Sequence, residues 1–107
     1  MAEQSTGAPV VTDNAAESRF EVHVDGQRAG LIKYQRNGDE LSILHTEVDE
    51  KFQGMGLAGI LARAALDQAR ARGESVLPYC PYVRSWIGKH PDYVDLVPAD
   101  RRPAFGL

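Results

Sequence analysis

Residues 19–25 alternate strictly between apolar and polar. Phe20, Val22 and Val24 fall on one face, and Arg19, Glu21, His23 and Asp25 on the other. That period-two pattern predicts a half-buried strand. Asp25-Gly26 supplies a hairpin turn, and residues 31–35 resume as a second strand with Ile32 and Tyr34 on one face. Asn37-Gly38 marks the next turn, and residues 41–48 form a third strand. Regular alternation there puts Leu41, Ile43, His45 and Glu47 on one face. Ser42, Leu44, Thr46 and Val48 take the other, and a bulge would re-aim the side chains beyond it.

The period then changes to that of a helix, over residues 56–72. Leu57, Ile60, Leu61, Ala64 and Ala65 form one apolar stripe, widened by Ala58, Ala62, Leu66 and Ala69. Gly59, Arg63, Asp67 and Arg70 are left as a narrow polar strip. So broad an apolar arc predicts a helix packed on a sheet and partly covered elsewhere. Arg70 and Arg72 complement the negative end of the helix dipole, and Gly73 is a natural stop. Residues 75–77 read as a short strand, joined to the third strand by a helical crossover. Two strands so joined run parallel with a right-handed connection. Pro81 suits the first position of a second helix over residues 82–89, which Pro91 ends. Val83, Trp86 and Ile87 are spaced as its core face.

The order is strand, strand, strand, helix, strand, helix. It predicts a mixed α/β (α+β) domain over residues 19–97, with antiparallel N-terminal strands, a strand–helix–strand unit and a C-terminal helix. Residues 1–18, rich in small, hydroxylated and acidic side chains, read as a flexible arm, and residues 98–107 as an irregular tail. A chain of 107 residues bounds this to one domain.

Charge and cysteine content narrow the partners. The net charge is −3 and the pI about 5.5, so no basic excess is available for a nucleic-acid backbone. One cysteine rules out an internal disulfide, and with three scattered histidines it makes no metal-ligand spacing. No apolar run reaches the length of a membrane span, and the first residues lack a charged-then-apolar leader. The expectation is a cytoplasmic protein with no metal, nucleic-acid or membrane partner.

Candidate chemistry gathers where the third strand gives way to the first helix, at Gln53-Gly54-Met55-Gly56-Leu57-Ala58. The first amides of a helix lack partners, and the dipole places positive charge there. Glycines let an anion reach that backbone, an arrangement suited to phosphate. The same glycines serve a tight strand-to-helix turn equally well, and so short a pattern does not separate the two readings.

The segment Gln53-x-x-Gly56-x-Ala58 resembles the Gln/Arg-x-x-Gly-x-Gly/Ala signature of the GNAT N-acetyltransferase superfamily. His45-Thr46-Glu47-Val48 before it, and Leu77-Pro78-Tyr79-Cys80-Pro81-Tyr82-Val83 after the helix, resemble the small single-domain GNAT-like proteins. The likeness covers residues 19–97. It implies metal-free acetyl transfer from acetyl-CoA to an amine. It implies that the amides of Gln53, Gly54, Met55, Gly56, Leu57 and Ala58 hold the cofactor pyrophosphate. It implies that the main chain of Thr46 and Val48 pairs with the pantetheine arm, with the Val48 peptide facing the thioester oxygen. Tyr82 would lie in the helix flanking that arm. Larger members insert two helices between their first strands to shape the acceptor site. Here a tight turn stands in that place, so the acceptor stays open: a protein lysine, a polyamine, an amino acid or a drug-like amine. A monomer and a homodimer that completes the acceptor pocket are both compatible with the sequence.

An amine must lose a proton before it attacks. Glu47 and His45 are the candidates to take it; their plain alternatives are a surface carboxylate and a satisfied histidine. Cys80 precedes Pro81, at a helix N-terminus where the dipole favours negative charge. Three roles are open to it: a nucleophile that carries the acetyl group, an acid or lining group beside the thioester, or an apolar filler. Two other functions remain compatible, a non-catalytic acyl-CoA-binding module and a cofactor-free interaction domain.

Overall fold

The computed structural model describes residues 7–107. Five strands form one sheet in the order β1-β2-β3-β4-β5. They are β1 Val10–Asn14, β2 Arg19–Val24, β3 Gln27–Asn37, β4 Glu40–Val48 and β5 Ser75–Pro78. The first four pair antiparallel, and β5 pairs parallel with β4. Helix α1 is Leu57–Ala71 and helix α2 is Pro81–Lys89. The expected mixed sheet with its strand–helix–strand unit is present.

Alternation builds the core directly. Phe20 and Val22 of β2, Ile32 and Tyr34 of β3, Leu41 and Ile43 of β4 and Val76 of β5 all turn to one face. There they meet Leu57, Leu61 and Leu66 of α1 and Val83 and Ile87 of α2. Fully burying one such side chain contributes about 1.5–3 kcal/mol, so this layer dominates the packing. The two helices lie side by side at Gly59, where an added Cβ would stand 3.6 Å from both the Trp86 indole nitrogen and the Tyr82 hydroxyl. The buried face of α1 is Leu57, Leu61, Ala62, Ala65, Leu66 and Ala69. It is centred one step away from the predicted stripe, because α1 faces the sheet rather than α2. Ile60, expected in the core, is therefore exposed on the flank toward α2.

Two segments depart from the predicted arm and tail. Residues 1–6 lie outside the described residues, but Val10–Asn14 of the expected arm is strand β1. Little apolar patterning marks it, because its pairing with β2 is made by backbone, and its polar side chains bond to neighbouring strands. Asn14 donates to Glu21, and Asp13 accepts from the Tyr34 hydroxyl. In the tail, Ala99–Phe105 forms a 3-10 turn that buries Phe105, whose ring meets Tyr79 edge-on.

The β4–β5 pair is closed at one end and open at the other. At the closed end Ser75 N–H donates to Asp39 O at 2.8 Å, and Arg36 Nε meets Glu74 Oε2 at 2.7 Å. Pairing runs from Glu40 opposite Ser75 to Ile43 opposite Pro78 and stops. A last tie joins Cys80 N–H to Ile43 O at 2.9 Å. Beyond it the strands part, leaving a wedge along residues 44–48.

A bulge in β4 sits at the mouth of this wedge. Tyr34 pairs with Ile43 and Lys33 with His45, so Leu44 is an extra residue without a β3 partner. The bulge reverses the predicted faces beyond it. Thr46 now shares the core face with Ile32, while His45 and Glu47 share the opposite face with Lys33 and Leu31.

That opposite face carries a cluster centred on Glu21, which is buried although it lies on the polar side of β2. Arg19 Nε donates to its Oε2 at 2.6 Å and Asn14 Nδ2 at 3.0 Å. The Arg19 hydrogen bond and then that from Asn14 hold the Glu21 carboxyl below its ordinary value, against the opposing effect of burial. A carboxyl lowered in the folded state contributes stability that is complete at neutral pH and is lost as the pH falls below about 4.5. Wild type and Glu21→Gln should therefore differ in urea midpoint at neutral pH, and the difference should shrink as the pH is lowered past about 4.5. A difference that does not change with pH would show that the charge contributes nothing.

Candidate active site

The wedge has two sides and a floor. On one side is the end of β4. Asp49 N–H donates to Ala29 O at 2.7 Å, toward β3. Alternate residues of a strand direct their main-chain groups to alternate edges. Val48 and Thr46 therefore turn their N–H and C=O groups away from β3, into the wedge. The Val48 carbonyl accepts a bond from Gln53 Nε2 at 3.2 Å, which draws the following loop back over the strand end. Asp49 caps the turn Glu50–Phe52 by accepting from Lys51 N–H at 3.1 Å. The chain then enters α1 through two left-handed residues, Gly54 (φ 87°) and Gly56 (φ 71°). This geometry requires glycine, since a Cβ costs roughly 1–2 kcal/mol there.

Gly56 is the N-cap of α1, and no side chain caps the helix. The first intrahelical bond runs from Ile60 N–H to Gly56 O at 3.2 Å. The opening amides thus face outward, with no acidic side chain in the first turn to compete for them. A Cβ on Gly54 or Gly56 would meet nothing within 4 Å, so it is the left-handed backbone and not crowding that calls for glycine at both positions. Leu57 anchors the turn by burying its side chain, whereas Met55 is exposed.

On the other side stands the N-terminus of α2. Cys80 is its N-cap residue and is 3% exposed. Its Sγ lies 3.2 Å from Thr46 Oγ1, across the wedge. Tyr82 follows two residues on and is exposed. Burial pushes its phenol above the ordinary value, and the neighbouring Cys80 adds to the shift.

The bulge separates the three catalytic candidates. Cys80 and Thr46 occupy the core side of β4. His45 and Glu47 lie on the other side, both more than half exposed, with His45 Nε2 2.9 Å from Glu47 Oε2. The structure thus joins His45 to Glu47 and keeps both apart from Cys80.

Residues 19–96 match the family model described as GCN5-related N-acetyl-transferase. The chain belongs to this family. Solved structures share its fold. A GCN5-like protein from Staphylococcus aureus matches with a TM-score of 0.64 over 83% of this chain and 87% of that one, at 21% identity. The ribosomal-protein-S18-alanine N-acetyltransferase of Escherichia coli matches with a TM-score of 0.52 at 25% identity, over 54% of this chain. YhbS, a GNAT family N-acetyltransferase of Escherichia coli solved in complex with CoA, matches with a TM-score of 0.50 at 25% identity, over 56% of this chain. This chain covers 38% of the length of each of those two Escherichia coli proteins.

In this GNAT-family chain one feature of the site escapes sequence reasoning. A groove of about 440 Å³ runs from Gly56 along α1, lined by Ile60, Arg63, Asp67 and Trp86 among others. Arg63 is held over the Trp86 ring at 5.3 Å and donates to the Tyr93 hydroxyl at 3.3 Å. The Tyr93 hydroxyl in turn donates to Asp67 at 2.7 Å. Trp86, read from its spacing as core, is buried there and also lines the groove, whereas Ile60, read as part of the buried stripe, is exposed. Only the placement of α2 beside α1 reveals the groove between them.

Close packing of the main chain holds the His45–Glu47 pair in place. Gly30 of β3 faces Val48, and an ideal Cβ there would lie 2.7 Å from the Glu47 carbonyl oxygen and 3.3 Å from Val48 Cα. Neither atom belongs to a flexible side chain, so β4 itself must give way. Gly30→Ala should cost about 1–3 kcal/mol in a urea melt, as overpacking does. An unchanged midpoint would show that the strand end yields freely.

Proposed function

We propose that this protein transfers the acetyl group of acetyl-CoA to an amine. The observation that supports this best is the wedge between β4 and α2. It opens onto an uncapped helix N-terminus at Gly56 and ends at the Thr46–Cys80 contact. Bound acetyl-CoA supplies a thioester whose carbonyl carbon accepts a nucleophile.

The residues present fit that donor. The amides from Gln53 to Ala58, with the positive end of α1, hold the pyrophosphate. The free edge of β4 at Thr46 and Val48 receives the pantetheine arm as an added strand. The Val48 N–H faces the thioester oxygen, and Tyr82 flanks the arm from α2. The groove beyond Gly56 offers Arg63 as a cation and Ile60 and Trp86 as apolar walls, which suits the nucleotide end. Because the wedge ends at Cys80, the acetyl end stops beside its sulfur.

The acceptor amine, of a protein or a small molecule, approaches from the face that carries His45 and Glu47. Glu47 orients the imidazole, and the pair takes the ammonium proton. Transfer runs either directly or through Cys80.

Calorimetric titration with acetyl-CoA, with CoA as the comparison, tests the cofactor reading. Saturable binding is expected, weakened at least about tenfold by Gly56→Val, which must distort a left-handed residue. No binding by the folded protein overturns the reading. Intact-mass analysis with acetyl-CoA separates the two routes: an acetyl adduct absent from Cys80→Ser supports the covalent one, and equal labelling of both removes Cys80 from it. Once an acceptor amine is in hand, Glu47→Gln should slow CoA release by about 10²–10⁴-fold with acetyl-CoA affinity kept. Wild-type turnover would clear Glu47 of the base role.

A further inference from the structure

The Thr46 side chain is not needed to hold a cofactor through the main chain, yet it meets the N-cap residue of α2 across the wedge. Thr46 Oγ1 lies 3.2 Å from Cys80 Sγ, and either atom can donate in the resting thiol. Among the described residues it is the hydrogen-bond partner of that sulfur. We propose that the Thr46 hydroxyl is the positioning group for Cys80: it holds the sulfur toward the wedge and donates a hydrogen bond to it when it carries negative charge.

Three features support this. Both partners are fixed by their backbones. Cys80 N–H donates to Ile43 O at 2.9 Å, and Cys80 O accepts from Arg84 N–H at 3.0 Å. Thr46 is paired within the sheet, opposite Ile32. A β-branched residue in a strand is stiff at χ1, so the hydroxyl holds its direction with little further entropy cost. The bulge at Leu44 is what turns Thr46 to this side, since unbroken alternation would place His45 there instead. Lastly, a hydroxyl in a half-buried cleft facing a buried sulfur is an expensive choice unless the bond is used, because a valine of the same shape packs there without a polar atom to satisfy.

This inference rests on Cys80 lining the acyl site, but its test does not require that Cys80 carry acetyl. Cys80 is the only cysteine in the chain, so its chemistry reads out cleanly. In iodoacetamide the sulfur displaces iodide: an S–C bond forms, the C–I bond breaks, and the thiol proton passes to the buffer. Intact mass then follows one addition, with Cys80→Ser as the blank. At fixed neutral pH, Thr46→Val should slow alkylation about tenfold, the effect of losing one hydrogen bond to a charged group, and Thr46→Ser should restore it. In parallel, the S–H stretching band, which Cys80 alone contributes, should shift in Thr46→Val and return in Thr46→Ser. A Thr46→Val protein alkylated as fast as wild type, or faster, overturns the proposal, as does a Thr46→Ser protein no better than Thr46→Val. If wild type is alkylated with this dependence on Thr46 but takes no acetyl from acetyl-CoA, the covalent route fails while the positioning role of Thr46 stands.

Discussion

One extra residue in β4 governs the geometry of this molecule's working end. Leu44 has no partner on β3, and the side chains that follow it exchange faces. Without the bulge, His45 and Glu47 would be driven into the core against α1, where a carboxylate would lack water and a partner. With it, they reach the open face and bond to each other, and Thr46 turns inward to meet Cys80. The bulge falls where β4 loses its β5 neighbour. A local irregularity is tolerated best where the ladder is already interrupted.

The open end of the sheet depends on the closed one. Four paired positions hold β5 to β4, too few to fix the strands rigidly by main-chain bonds alone. The Arg36–Glu74 ion pair adds a second fastening just before β5 begins, and Arg72 approaches the same carboxylate at 3.4 Å. Glu74 is almost fully buried, so this pairing is needed to keep its charge tolerable. With that end secured, divergence is confined to the other, where the glycine entry to α1 faces the gap. The positive end of α1 and the free edge of β4 thus address the same space.

Much of this was legible in the residues themselves. Phe20, Val22 and Val24 announce their strand by period two, and Gly54 and Gly56 mark the helix entry. Val10–Asn14 was not legible, because its pairing depends on β2 being present and on side-chain bonds from Asn14 and Asp13 to residues distant in sequence. Phe105 offered one apolar side chain without periodicity, and only its contact with Tyr79 gives it a place. Trp86 is in the core as its spacing implied, but Ile60 was read as core and is exposed, because a helix pattern tells which residues are apolar, not which neighbour each will face.

What the sequence determined alone was local: the strand and helix periods, the turns, the glycine entry to α1 and the family signature around it. These follow from interactions between residues a few positions apart, where periodicity and backbone preference are decisive. The tertiary structure decided which candidates meet. It joined Thr46 to Cys80 and set His45 and Glu47, already on one face by period two, on the opposite side of β4, because a single-residue slip in pairing, invisible to any period, reverses every side chain beyond it.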